Sequence, residues 1–331
     1  MTCLRYFGLA LVVSLVVTAC GDDGAAPVGP PASVAELSGA DQIGYLGEAL
    51  QDALRVAVED ADGDPVPGVE VVFAILSGAG DLSLSVAGGL SADLMVQMAE
   101  EVTDTTNTLG QASATWTLGP TAGEQSVSAT VAELDPVIFT ALAKAEITDP
   151  AQDTFLTPQP PIVAPDIVRM TAWPEDGDLI IELEFVNDVV SDDVGGNNLV
   201  VGYVDIDVDQ NAGTGVLPFT DDNRLDQGST GMGSDYIVEM WMAGTGKYAI
   251  FDSLFVSVDS ITPTFDANLL TLTIPLTALG GDDGIANLAT VVGTFENPSD
   301  IAPNDGHLAM GPEPFAVARP AVAPAERAWR K

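Results

Sequence analysis

Bulky apolar side chains recur at every second position through Leu54-Arg55-Val56-Ala57-Val58-Glu59. A period of two puts them on one side of an extended chain, so this run predicts a half-buried strand. Asp60 to Gly68 (DADGDPVPG) is dense in turn formers, and Val69 to Leu76 follows as a nearly continuous apolar strand. Alternation returns over Ala112–Leu118, and Gly119 to Gly123 forms a turn. Gln125–Val131 and Val137–Ala145 complete a first set of strands. A second set follows at Ile167–Thr171, Leu179–Val186, Leu199–Asp209, Asp235–Met242, Tyr248–Phe251, Leu254–Val258, Leu269–Ile274 and Ala289–Phe295, with one helical turn at Leu276–Leu279. Short strands at this spacing, broken by Gly, Pro and Asp, predict an all-β chain of two β-sandwich domains.

The stretches without periodicity divide the chain. Residues 20–33 contain GDDGAAPVGPPAS and read as an extended tether. A first domain is expected over 34–146. Residues 147–165 hold five prolines and read as a semi-rigid linker. The second domain is expected over 166–311 and a disordered Pro/Ala-rich tail over 312–331. Inside the first domain, Leu90, Leu94, Met98 and Val102 fall at helical spacing, so Val86–Glu101 is expected as an inserted helix or a longer hairpin.

The N-terminus adds an anchor. Arg5 precedes an apolar run from Phe7 to Val17, too short to cross a bilayer, which needs about 20 residues. Residues 1–19 read as a signal peptide. Val17-Thr18-Ala19-Cys20 resembles the bacterial lipobox, which implies cleavage before Cys20 and acylation of that residue. Several acyl chains hold a protein firmly, because each buried methylene contributes about 0.8 kcal/mol. Gly21 stands where, in the enterobacterial pattern, an Asp favours retention in the inner membrane. The resemblance therefore implies an extracytoplasmic lipoprotein of the outer membrane or cell surface, where the source has two membranes, with the lipid bilayer as its partner.

Charge removes some functions. Ten Lys and Arg stand against 49 Asp and Glu, for a net charge of −39. Such a surface repels phosphate backbones, so no nucleic-acid partner is expected. The two cysteines are Cys3 and Cys20, so the mature chain has no disulfide. One histidine, His307, and the lack of HExxH, GxSxG or P-loop patterns disfavour the usual catalytic constellations. With so many carboxylates, any apparent acid pair of a glycosidase arises by chance.

Two resemblances follow from the motifs. Asp62 to Phe73 reads D-G-x-P-V-P-G-V-x-V-x-F and Gly110 to Gly119 reads G-x-A-x-A-x-W-x-L-G. With FTALAKA at 139–145, these blocks resemble the bacterial Ig-like domain of the invasin/intimin group, which implies a spacer or adhesive module without catalysis. The insertion at 86–101 departs from that pattern. Val204 to Gly215 (VDIDVDQNAGTG), Gly233 to Met240 (GSDYIVEM) and the strand ending Ile274-Pro275-Leu276 are similar to DOMON-like and family 9 carbohydrate-binding sandwiches of jelly-roll type. That similarity implies a module for sugar, with Trp173 or Trp241 as a stacking face, or for haem, with His307 and a methionine such as Met232 or Met240 as ligands.

The acidic strand carries the candidate metal chemistry. In extended chain Asp205, Asp207 and Asp209 share one side while Val204, Ile206 and Val208 take the other. Carboxylates at alternate positions leading through Asn211 into a glycine loop suit calcium, with Asp221, Asp222, Asn223 and Asp226 as further oxygens. The competing expectation is a solvated acidic face. Asp60, Asp62 and Asp64 offer the same choice between calcium and a plain hairpin turn. The expectation is a membrane-anchored, non-enzymatic surface spacer or adhesion protein presenting a binding sandwich to a glycan or surface-protein ligand. The alternatives are a calcium-supported carbohydrate-binding module and, more distantly, an acidic hydrolase.

Overall fold

The computed structural model describes residues 28–84, 99–155, 163–194, 196–223 and 228–312. The signal peptide, Cys20 and most of the tether, the insertion over 86–98, Asp226 and the tail beyond 312 lie outside the described residues. The first half forms β1 (Ser33–Ser38), β2 (Gln42–Tyr45), β3 (Leu54–Glu59), β4 (Glu70–Ser77), β5 (Asp81–Leu84), β6 (Glu101–Thr105), β7 (Gln111–Thr117), β8 (Gly123–Thr130) and β9 (Val137–Thr148). The second half forms β10 (Ile167–Glu175), β11 (Asp178–Phe185), β12 (Val190–Ser191), β13 (Leu199–Asp207), α1 (Phe219–Asp222), β14 (Tyr236–Glu239), β15 (Tyr248–Asp252) and β16 (Ser257–Ile261). It ends with β17 (Thr264–Asp266), β18 (Leu269–Pro275), a 3-10 turn at Leu276–Leu279, β19 (Asn287–Gly293), β20 (Pro298–Ala302) and β21 (Leu308–Ala309). The chain is all-β.

Three sheets build two sandwiches. One sheet runs β1-β3-β7-β5, another β16-β15-β14-β13-β19-β20, and a long central sheet β17-β18-β11-β10-β9-β8-β4-β6. The first core lies between the small sheet and the β9-β8-β4 part of the central one, where Leu54, Val56, Phe73, Trp116 and Phe139 pack together. The second lies between the β10-β11-β18 part and the third sheet, around Met170, Ile181, Phe185, Val204, Tyr248 and Leu272. Alternation in β9 serves both: Phe139, Ala141 and Ala143 enter the first core, and Ala145, on the same face, enters the second. Trp116 is a fully buried core residue, in keeping with the alternation of β7.

The expected linker is corrected by this topology. β9 continues to Thr148, inside the proposed spacer, and pairs antiparallel with β10 from Arg169↔Thr148 to Ala172↔Ala145. The connection is also tied down, because Asp149 N–H donates to Val168 O (2.9 Å) and Phe155 N–H to Ser299 O (2.7 Å). Backbone pairing thus makes the two sandwiches share one sheet. β1 likewise begins at Ser33, the last residue assigned to the tether.

Most expected strands form within a few residues of their expected limits. The exception is Leu254–Val258: Leu254 and Phe255 sit in the turn after β15, and β16 begins at Ser257. Asp60 resolves as a turn former. Its carboxylate accepts from the N–H of Gly29 (2.8 Å), Asp62 (3.0 Å) and Asp64 (2.9 Å).

Candidate functional site

Period-two alternation in β13 sends Val204 and Ile206 into the second core. Asp205 and Asp207 face the opposite side, yet both are fully buried. The segment from Asn211 through α1 and back over 228–235 folds across them, so this is not a solvated acidic face. Gly202 permits the close approach of β13 to β19, since a Cβ there would lie 2.0 Å from Val291 O.

The structure separates Asp205 from the expected metal set. Its Oδ1 accepts from Phe219 N–H (3.0 Å) and Ser234 Oγ (3.1 Å), and its Oδ2 from Thr220 N–H (2.8 Å) and Thr220 Oγ1 (2.7 Å). Burial pushes this carboxyl up to about 6, with the four hydrogen bonds opposing the rise. Asp205 therefore fastens the start of α1 to β13.

Asp207 and Asp209 instead converge with Asp235, one oxygen from each lying within 4.8 Å of the others. Asp207 accepts from Asn211 N–H (3.1 Å) and Gly233 N–H (3.2 Å). Asp209 accepts from Asn211 N–H (3.0 Å) and Thr214 Oγ1 (2.9 Å). Asp235 Oδ2 is buried and has no hydrogen-bond partner. Burial, reinforced by neighbouring carboxylates, raises both Asp207 and Asp235 to about 6. Asn211 shapes the loop: its Oδ1 accepts from Gly213 N–H (3.0 Å). Three clustered carboxylates of which one keeps an unsatisfied oxygen suit a hard cation.

Two of the other expected residues, Asp221 and Asn223, have different partners. Asp221 accepts from Thr230 N–H (2.7 Å) and Thr230 Oγ1 (2.9 Å), binding α1 to the returning strand segment. Asn223 donates to Phe219 O (2.8 Å). Asp235 was legible only as the first residue of a strand; nothing in its local pattern marks it as a partner of Asp207.

The two candidate stacking tryptophans differ. Trp173 is buried, its Nε1 donates to Glu175 (3.1 Å), and Lys144 Nζ lies 3.3 Å from its ring centroid. Its face is covered and is not available to a sugar. Trp241 belongs to an apolar cluster on the outer side of the third sheet, with Leu199, Val201, Tyr203, Ile237 and Phe219. Tyr203 stacks on Phe219 at 4.1 Å between centroids and meets Trp241 at 4.9 Å, while Phe255 makes an edge contact with Phe219 at 6.1 Å. Tyr203, Phe219, Ile237, Glu239, Phe251 and Phe255 line a groove of about 150 Å³. Of the residues named for the haem alternative, Met240 is in the second core and His307 Nδ1 lies 2.6 Å from Thr230 O.

No family model matches this chain, and no curated protein matches it. Among solved structures it is similar to the Escherichia coli adhesin FdeC, at 12% identity and a TM-score of 0.24, over 84% of this chain and 63% of that one. It is similar to the Yersinia pseudotuberculosis adhesin InvE, at 11% identity and a TM-score of 0.25, over 83% and 58% of the two chains. Domains 5–6 of the S-layer protein SbsC give 9% identity and a TM-score of 0.24, over 85% and 97%.

Proposed function

We propose that this chain is an exported, non-catalytic surface protein, anchored through an acylated Cys20. In it the Ig-like sandwich is a spacer and the second sandwich binds a ligand on the outer face of β13–β14. The observation that carries the reading is the aromatic cluster of Tyr203, Phe219, Trp241 and Phe255. In a chain with 49 acidic residues, a sheet face lined with rings and aliphatic side chains is a concentrated source of binding energy. The neighbouring hairpin extends it, with Leu254 80% and Val256 56% exposed. Calcium at Asp207, Asp209 and Asp235 would tie Asp235, which follows α1 in the chain, to the end of β13, from which α1 also hangs through Asp205.

Ring faces also favour a second reading, a carbohydrate-binding module, since sugars stack on aromatic planes. Probing a glycan array with the mature Cys20→Ser chain separates the two. Glycan capture lost on Trp241→Ala supports the sugar module. No capture, together with removal of the native protein from intact cells by external protease, supports the spacer and adhesion reading. Retention of the native protein in the cytoplasm overturns both.

A further inference from the structure

A cleft of about 580 Å³ opens on the outer face of the central sheet, where the two sandwiches join. The first sandwich lines one side with Asp41, Ile43, Glu124 and Leu142, and the second lines the other with Pro174, Glu175, Leu276 and Asp283. The floor is apolar. Ile43 and Leu142 are partners in the parallel pairing of β2 with β9, and Ile43 is 65% exposed. The rim is acidic. Asp41, Glu124, Glu175, Asp176 and Asp283 are all exposed, and none of them makes an ion pair with a described residue.

The described chain ends beside this cleft. Met310 O accepts from the N–H of Ala122 (2.8 Å), which lies two positions before Glu124. Gly311 packs on Ile285, where a Cβ on the glycine would lie 2.5 Å from Ile285 Cγ2. The N–H of Ile285 in turn donates to Asp283 Oδ1 (2.9 Å). Pro312 is exposed, so the chain leaves toward solvent between two of the rim carboxylates. Residues 313–331 follow as EPFAVARPAVAPAERAWRK. They carry Arg319, Arg327, Arg330 and Lys331, four of the ten basic residues, against Glu313 and Glu326. A segment of this length spans up to about 60 Å when extended, so every part of the cleft is within its reach.

Charge and shape are complementary. Arg327, Arg330 and Lys331 surround Trp329, as the acidic rim surrounds the apolar floor. Exposed ion pairs alone hold a segment weakly. An indole laid on the floor adds apolar contact, and tethering raises the effective concentration of the segment to roughly millimolar.

We propose that residues 313–331 dock in this cleft of their own chain, with Trp329 on the Ile43–Leu142 floor and Arg327, Arg330 and Lys331 against the rim. The docked segment touches both sandwiches and straps their junction. Its site is separate from the aromatic face of β13–β14 and from the Asp207 cluster.

The test is carbodiimide cross-linking of the mature Cys20→Ser chain, which joins an amine directly to a carboxylate in contact with it, with the linked residues mapped by mass spectrometry. An equal mixture of isotope-labelled and unlabelled chains is used at low concentration. Lys331 should link to Asp41, Glu124, Glu175, Asp176 or Asp283 in preference to all other carboxylates, and always within one isotope class. Trp329→Ala, which keeps the charge and lies outside both cores, should lower the yield of these links about tenfold. The proposal is overturned if Lys331 forms no links, or if its links spread over carboxylates outside the cleft or gather at Glu239 of the aromatic groove. Links between labelled and unlabelled chains would assign the cleft to a second copy and overturn docking within one chain. An unchanged yield in Trp329→Ala overturns it too, because ionic attraction alone would then account for the contact.

Discussion

Lys144 of β9 places its Nζ 3.3 Å from the centroid of the Trp173 ring of β10. The pair crosses the junction between the sandwiches, on the outer face of the central sheet, and Glu182 approaches the same ammonium at 4.0 Å. Burial lowers the Lys144 pKa against the pull of Glu182 and Glu175. A partly desolvated cation over an indole contributes roughly 1–2 kcal/mol. Lys144→Met should therefore lower the urea-unfolding free energy of the chain by about that amount. Trp173→Phe should leave ligand capture unchanged, since the ring is covered. Loss of capture with Trp173→Phe would return this residue to the binding face.

Asp205 should behave as a structural carboxylate. Asp205→Ala strands the N–H groups of Phe219 and Thr220 and the Thr220 hydroxyl in a buried site, while the Ser234 hydroxyl keeps Tyr236 O as its acceptor. The expected cost is about 3–5 kcal/mol, read from chemical denaturation. Asp205→Asn, which keeps an acceptor, should cost less. Calcium should stabilise the folded Asp205→Asn chain as much as the parent, whereas Asp207→Asn with Asp209→Asn should lose part of that response. A response that disappears in Asp205→Asn alone would put Asp205 back among the ligands.

The Asp60 turn gives a pH signature. Backbone hydrogen bonds, that from Gly29 first, hold Asp60 below its usual value of 3.8. A folded-state pKa below the unfolded one means that its stabilisation is present above the unfolded pKa and is lost as pH falls through the folded value. Asp60→Asn should thus melt below the parent at neutral pH, and the gap should close as the pH is taken beneath 3.8. A gap that stays constant down to that range would mean that the charge of Asp60 contributes nothing.

Sheet continuity bears on cooperativity. Because β9 and β10 are hydrogen-bonded neighbours, a single cut within 149–165 should yield two fragments on a denaturing gel that still co-elute on native size exclusion. Separate elution would show that the ladder between the sandwiches contributes little.

The anchor is checked by cell fractionation. Cys20→Ser should move the exported protein from the membrane to the soluble fraction, because the signal-peptide site no longer supplies an acylated residue. Membrane retention of that variant with normal export would sink the lipid reading.

Alternation along β3, β7, β8 and β9 was legible because one face of each strand meets a core, and burial then imprints a period of two on the residues themselves. β1 and β6 carry no such imprint, since the described side chains of both are exposed or half-buried, and they were missed. Leu254–Val258 misled for the converse reason: apolar composition does not distinguish a buried run from an exposed one, and Leu254 is 80% exposed. The sequence by itself placed Asp205, Asp207 and Asp209 on one side of a strand, which follows from backbone geometry alone. Only the tertiary structure decided what covers them, because donors on α1 claim Asp205 while a strand almost 30 positions later brings Asp235 to the other two. The same holds at the junction, where Asp41 and Asp283 line one cleft across a chain separation that no local pattern encodes. Proline content suggested a spacer between two bodies, but whether the second sandwich adds to the first one's sheet depends on the backbone pairing of Thr148 with Arg169, a contact between distant segments.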